Sequence, residues 1–187
     1  EYASKIETVR WGIDRSRFAR DPALGEAQRQ KLGLPTGPIV LSPRILSPLY
    51  NVHLIVEAML EIVRGCPGTV LLISRHHEDP GYTTRLRQRV TALGLERSVH
   101  FLEEVDHEAM RGLLSMASVV VSIPFADGLP QTLFEALASE TPLVLGRLTA
   151  YEEMVRDERE VLLTDFNAPA IAATVSRLLS DRDLARR

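Results

Sequence analysis

Short apolar runs alternate with longer amphipathic segments along most of this chain, and that alternation limits the fold more than any other feature. Residues 38–42, 69–74, 99–102, 118–123 and 142–145 read as strands, with a weaker one at 160–163. Helical periodicity separates them. Its clearest instance is 52–64, where Val52, Ile55, Val56, Met59, Ile62 and Val63 fall on one face, Asn51 stands at the N-cap, and Gly65-Cys66-Pro67-Gly68 closes the segment. Further helices are expected over 82–93, stopping at Gly94, over 107–116 behind a capping Asp106, from Pro130 onward, and over 169–179 with Asp165 or Asn167 near the start. Apolar strands separated by helices form a parallel sheet covered on both faces. With right-handed crossovers this is an α/β, doubly wound, Rossmann-like domain. Residues 1–35 have the least defined pattern.

Composition removes several function classes. The chain has 187 residues, a length that suits one domain, with 45% hydrophobic content for a core. Net charge is −3 with acids and bases interspersed, which gives no basic stripe for nucleic acid. Arg85, Arg87 and Arg89 are the densest basic cluster and read as a solvated helix face, with a weak membrane-surface contact as the other reading. Cys66 is the only cysteine, so neither an internal disulfide nor a Cys-based metal site can form. His76-His77-Glu78-Asp79 reads as a polar loop, because adjacent side chains point different ways. The most apolar run, 117–126, is too short to cross a bilayer and contains a proline. The chain begins at Glu1, not Met, and is expected to be a piece of a longer protein.

In such sheets ligands bind beyond the carboxyl ends of the strands. The loops after Ser42, Ser74, Leu102, Ile123 and Leu145 should therefore share one rim, bringing Arg44, Glu104, Asp127, Gln131, Thr132, Glu135 and Glu152 near one another. The densest signal is Asp127-Gly128-Leu129-Pro130-Gln131-Thr132-Leu133-Phe134-Glu135. It joins a strand, a tight loop and a helix start, where unpaired backbone amides can meet an anion. Pro130 suits the first helical turn because it has no N–H to lose, and no capping side chain precedes it. The amides of Gln131, Thr132 and Leu133 should point out of the helix end. Gln131, Thr132 and Glu135 share one face, leaving Leu133, Phe134 and Leu137 for burial. Spacing alone equally permits a solvated polar stripe and an ordinary turn at Asp127.

The same stretch resembles the paired-acid signature, an acid and then a Glu eight positions on, of retaining glycosyltransferases with the two-domain GT-B fold (glycosyl transferases group 1). The likeness continues through Ala136-Leu137-Ala138 and Pro142-Leu143-Val144. It also takes in Val9-Arg10-Trp11-Gly12-Ile13-Asp14 with Phe18, Ser42-Pro43-Arg44 before the Asn51 helix, Phe101-Leu102, and Tyr151-Glu152-Glu153. It covers nearly the whole chain in order. It implies the C-terminal, donor-binding domain of such an enzyme, with residues 1–35 including the return from an N-terminal acceptor domain.

The resemblance also implies roles. Arg44 and Asp127 would be catalytic, Arg44 offsetting the diphosphate of a UDP- or GDP-linked sugar and Asp127 meeting the sugar near its anomeric carbon. Amides of the Pro130 helix would hold phosphate, Glu135 the ribose, and Glu104 with Val105 the base. The expected binding set is Arg44, Glu104, Val105, Asp127, Gly128, Leu129, Pro130, Gln131, Thr132, Leu133 and Glu135. No metal and no cofactor beyond the donor are expected. The protein is expected in the cytoplasm, at the inner face of a membrane if the full-length chain docks there.

Four departures from the family pattern bear on activity. Ser47-Pro48-Leu49-Tyr50-Asn51 carries no Lys where the family has a second phosphate contact, and is one residue longer. Asp127 stands where Glu is commoner, Glu140 where Gly is usual, and Glu103 where Gly often precedes the base contact. A non-catalytic module derived from such a domain, kept for protein association, is therefore the rival reading. A phosphorylase would need a cofactor-binding Lys, and Lys5 and Lys31 are the only lysines.

Overall fold

The structure, a computed structural model, describes residues 12–74, 77–128 and 130–186. Among them six parallel strands form one sheet in the order β3-β2-β1-β4-β5-β6. The strands are β1 (Ile39–Ser42), β2 (Val70–Ile73), β3 (Val99–Phe101), β4 (Val119–Ser122), β5 (Leu143–Gly146) and β6 (Leu162–Thr164). Two short N-terminal helices, α1 (Arg15–Phe18) and α2 (Pro22–Lys31), precede β1. Helices α3 (Val52–Gly65), α4 (Pro80–Ala92), α5 (His107–Met116), α6 (Gln131–Ala138) and α7 (Thr149–Glu152) follow the first five strands in turn, and α8 (Ala168–Ser180) follows β6. This is the doubly wound order, and its direction reverses between β1 and β4.

Burial on both sides explains why the strands read as unbroken apolar runs. Val40, Leu71, Val119, Val121 and Val144 pack with Ile55, Met59 and Ile62 of α3, Leu86 of α4, and Ile171 and Val175 of α8. Their neighbours Ile39, Leu41, Leu72, Val120 and Leu145 face the other way, against Leu113 and Leu114 of α5, Leu133 and Ala136 of α6, and Tyr151 of α7. Period-two alternation thus divides one apolar sheet between two helical layers. On one of those layers α3 and α8 lie side by side.

The expected elements are present with shifted ends. The expected helix at 82–93 begins earlier, at Pro80, because Asp79 caps it through a 2.8 Å bond from the Tyr82 amide. Asp106 caps α5 as expected, and Asn167 caps α8, each accepting an amide. The weak strand at 160–163 lies at Leu162–Thr164. Helix α2, in the stretch that gave no clear pattern, is capped by Asp21 and begins with Pro22. Arg89 pairs with Glu57 and the Arg87 guanidinium lies over Phe101, so two of the three clustered arginines are engaged within the domain.

Two expectations about local conformation are corrected. Asn51 precedes α3, but its side chain makes no cap bond. It sits in the left-handed region at φ 50° and donates its amide to the Ile123 carbonyl at 2.9 Å. Leu137 is 39% exposed, and Ala136 is buried in its place, because α6 turns its 132–133–136 face to the sheet. Glu140, just past the α6 C-cap, has φ 52°. A left-handed position after a helix suits Gly, which has no Cβ to clash. Glu140→Gly should therefore raise stability by roughly 1 kcal/mol in a denaturant titration.

Candidate functional site

The reversal of strand order between β1 and β4 opens a crevice, and two charged loops meet in it. Arg44 lies just beyond β1 and Asp127 beyond β4. Arg44 Nη2 is 2.9 Å from Asp127 Oδ2, with the two side chains only 11% and 13% exposed. Two backbone-anchored bonds tie the loops together: Asn51 to the Ile123 carbonyl, and the Phe125 amide to the Leu49 carbonyl at 2.9 Å. The pairing of the two charges is therefore built into the scaffold.

Among the described residues three donors converge on the Asp127 carboxylate. Arg44 and the Tyr151 hydroxyl, also at 2.9 Å, share Oδ2, while the Gly128 amide binds Oδ1 at 2.9 Å. A carboxylate offers about four acceptor sites, so room for about one more donor remains. Tyr151 is fully buried. Burial, and then the Asp127 carboxylate beside it, push its phenol well above its ordinary range, so at neutral pH it is a fixed donor. On its other side Arg44 lies over the Tyr50 ring, 4.5 Å from the centroid, which restricts where the guanidinium can move.

The cleft around this pair has a volume of about 390 Å³. It is lined by Arg44, Tyr50, Val105, Asp127, Pro130, Gln131, Thr132 and Glu135, with Pro43, Ile45, the α5 cap Asp106 and the α5 residues His107 and Met110 completing the wall. Helix α6 opens onto it without a side-chain cap: Pro130 occupies the N-cap position, one place before the first helical residue. The Leu133 amide, expected from sequence to point freely out of the helix end, instead bonds the Pro130 carbonyl at 3.1 Å. Gln131 and Thr132 begin the helix, where no helical carbonyl precedes their amides. Burial holds the Glu135 carboxyl above its ordinary range, against the opposing pull of His107 and Arg44.

Of the residues singled out from sequence, Arg44, Val105, Asp127, Pro130, Gln131, Thr132 and Glu135 meet in one cleft. Glu104 is exposed on the loop after β3, and Gly128 is exposed beside Asp127. The Leu133 side chain lies in the core. Leu129, Trp11 and His76 lie outside the described residues. Glu152 and Glu153 are exposed, and their neighbour Tyr151 is the α7 residue that reaches Asp127. Tyr50, His107 and Tyr151 were missed as site residues. For Tyr50 the available signal was its place in the loop after Arg44. For Tyr151 there was none, since an aromatic at a helix start ordinarily packs.

A parallel sheet wound in this order, with a polar cleft at its switch point, defines a Rossmann-like ligand-binding domain. The chain belongs to the group 1 glycosyl transferases: that family's model matches residues 25–187. One similar protein is the GDP-mannose-dependent alpha-(1-6)-phosphatidylinositol monomannoside mannosyltransferase of Mycolicibacterium smegmatis, 28% identical over 96% of this chain and 48% of its own length. The fold matches Anabaena HepE, solved in complex with UDP and glucose, at a TM-score of 0.83 and 22% identity, over 94% of this chain and 48% of that one. It also matches the C-terminal domain of the group 1 protein LpcC from Francisella tularensis, at a TM-score of 0.82 and 19% identity, over 94% of this chain and 91% of that domain. The fold is thus the Rossmann-like half of a GT-B glycosyltransferase. The chain spans about half the length of the curated relatives it matches.

Proposed function

We propose that this chain is the donor-binding domain of a retaining glycosyltransferase that takes its sugar from a nucleoside diphosphate sugar. The observation that carries this reading is the meeting of Arg44, Asp127, Glu135 and the uncapped start of α6 in one cleft. Arg44 and the Gln131 and Thr132 amides would take the diphosphate, stabilising the charge that grows on it as the glycosidic bond breaks. Glu135 would accept hydrogen bonds from the ribose. Asp127 would use its remaining acceptor site on a sugar hydroxyl and stabilise positive character at the anomeric carbon. Val105 would meet the base, with Glu104 at the outer rim. Retention is suggested by the paired acids at positions 127 and 135, the spacing of the family signature. No metal is assigned a role.

Support for a nucleotide-linked donor comes from the GDP-mannose in the mycolicibacterial relative's name and the UDP bound to HepE. In this reading a second, N-terminal domain supplies the acceptor side, so the chain alone binds donor weakly and turns over little. The setting is the cytoplasm, with the full-length protein at a membrane face where its acceptor is a lipid. None of the described helices is long and apolar enough to cross a membrane.

Calorimetric titration of the chain with UDP and with GDP tests the assignment. Saturable heat with one of them, at micromolar to millimolar affinity, is the expected result. Complete absence of heat with both, at millimolar ligand, would leave the non-catalytic module as the better reading. The cleft's charge favours that rival in one respect. Among the described lining residues Asp106, Asp127 and Glu135 outnumber the Arg44 cation, which is already paired.

A further inference from the structure

Arg44 cannot serve a diphosphate fully while Asp127 holds it. We propose that Tyr151 is the positioning residue that keeps Asp127 hydrogen-bonded and in place when Arg44 turns toward an anionic ligand. The inference rests on the donor-binding reading and adds a residue to it. Arg44 Nη2 and the Tyr151 hydroxyl sit on the same carboxylate oxygen, each at 2.9 Å. When the guanidinium is drawn to phosphate, Asp127 loses one of three donors and keeps Tyr151 and Gly128. Without the phenol it would keep, among the described residues, only the amide of its own neighbour. A nearly buried carboxylate with one donor is costly, so Asp127 would hold Arg44 more tightly and oppose ligand entry.

The geometry suits a fixed support. Tyr151 is fully buried, and its ring packs with the core under α6 and β5, so the hydroxyl cannot follow Arg44. Its amide bonds Leu148 and its carbonyl accepts the Met154 and Val155 amides, which pins the residue inside the α7 turn. On the far side the Tyr50 ring lies under the guanidinium. A turn of the Arg44 guanidinium toward phosphate would thus leave the carboxylate where its other donors hold it.

A double-mutant cycle read by calorimetry with UDP and GDP separates this role from packing. Tyr151→Phe keeps the ring and removes the hydroxyl. In the otherwise unchanged chain it should weaken nucleotide binding roughly 5- to 10-fold, the scale of a hydrogen bond to a charged group. In an Asp127→Ala background the same substitution should change affinity less than about twofold, because no carboxylate remains to support. Equal losses in both backgrounds would assign Tyr151 to packing alone and overturn the proposal. Unchanged affinity of the single variant would overturn it as well. Absence of nucleotide heat from the unsubstituted chain would instead defeat the donor-binding reading, and this inference with it.

Discussion

Arg44→Ala is expected to lower nucleoside diphosphate affinity by about 100-fold and to destabilise the chain by roughly 2 kcal/mol. Both effects come from one side chain. Arg44 is the only guanidinium lining the cleft among the described residues, and it pairs with a carboxylate that is only 13% exposed. Removing it leaves Asp127 charged, with Tyr151 and Gly128 as its donors. The cost stays below that of a fully orphaned buried charge because those two bonds survive. Asp127→Ala should behave in the opposite way toward nucleotide. It frees Arg44 from its partner, so UDP or GDP should bind as well as before or several-fold more tightly, while sugar transfer by the full-length protein is lost. The double variant Arg44→Ala/Asp127→Ala should recover most of the stability lost by Arg44→Ala and none of the binding. Calorimetry and urea unfolding on the three variants measure both quantities. If Arg44→Ala bound nucleotide normally, the diphosphate could not lie where it has been assigned.

What the sequence disclosed and what it withheld follow from how local each signal is. Helix α3 was readable because its apolar residues recur at helical spacing and Gly65 to Gly68 stop it. The strands were readable because both faces are buried, which leaves a polar residue only at the ends of β1 and β4, Ser42 and Ser122. Helix α2 was hard to see because few of its residues meet the core and only Gly25 is buried. Its one clear mark was local, the Asp21-Pro22 pair at its start. The cleft was legible in outline, since a doubly wound sheet must bring the loops after β1 and β4 together.

Its inner wiring was not legible. The contact between Tyr151 and Asp127 spans 24 positions and depends on how the turn after β5 folds under α6. The bond from Asn51 to Ile123 spans 72, and a residue that looked like a cap proved to be a clamp between loops. Tyr50 stands in the loop where the family has its second phosphate-binding Lys, yet it contributes a ring under the guanidinium. Where the family pattern has a cation, this chain thus places an aromatic ring against Arg44. The family pattern alone could only register the Lys as missing.

Glu135→Gln should separate stability from binding in opposite directions. Burial raises the folded-state carboxyl above its ordinary range, more than His107 and Arg44 lower it. The folded protein therefore holds this proton more tightly than the unfolded chain, and stability falls as pH rises through the folded value. At neutral pH the charged Glu135 is a net cost to folding. An uncharged amide of the same shape avoids that cost, so the variant should unfold at higher temperature than the parent at pH 7. Below the unfolded carboxyl's range the two should converge. Nucleotide affinity should move the other way, falling about 30-fold at pH 7, because a neutral amide is a poorer acceptor for two ribose hydroxyls than a carboxylate. In the parent chain affinity should decline as pH drops into the raised titration range, and the Gln variant should lack that limb. Scanning calorimetry and nucleotide titrations at pH 5 and pH 7 give all four quantities. Were the variant less stable at pH 7 with its affinity unchanged, Glu135 would be a structural acid and the ribose would have to bind elsewhere.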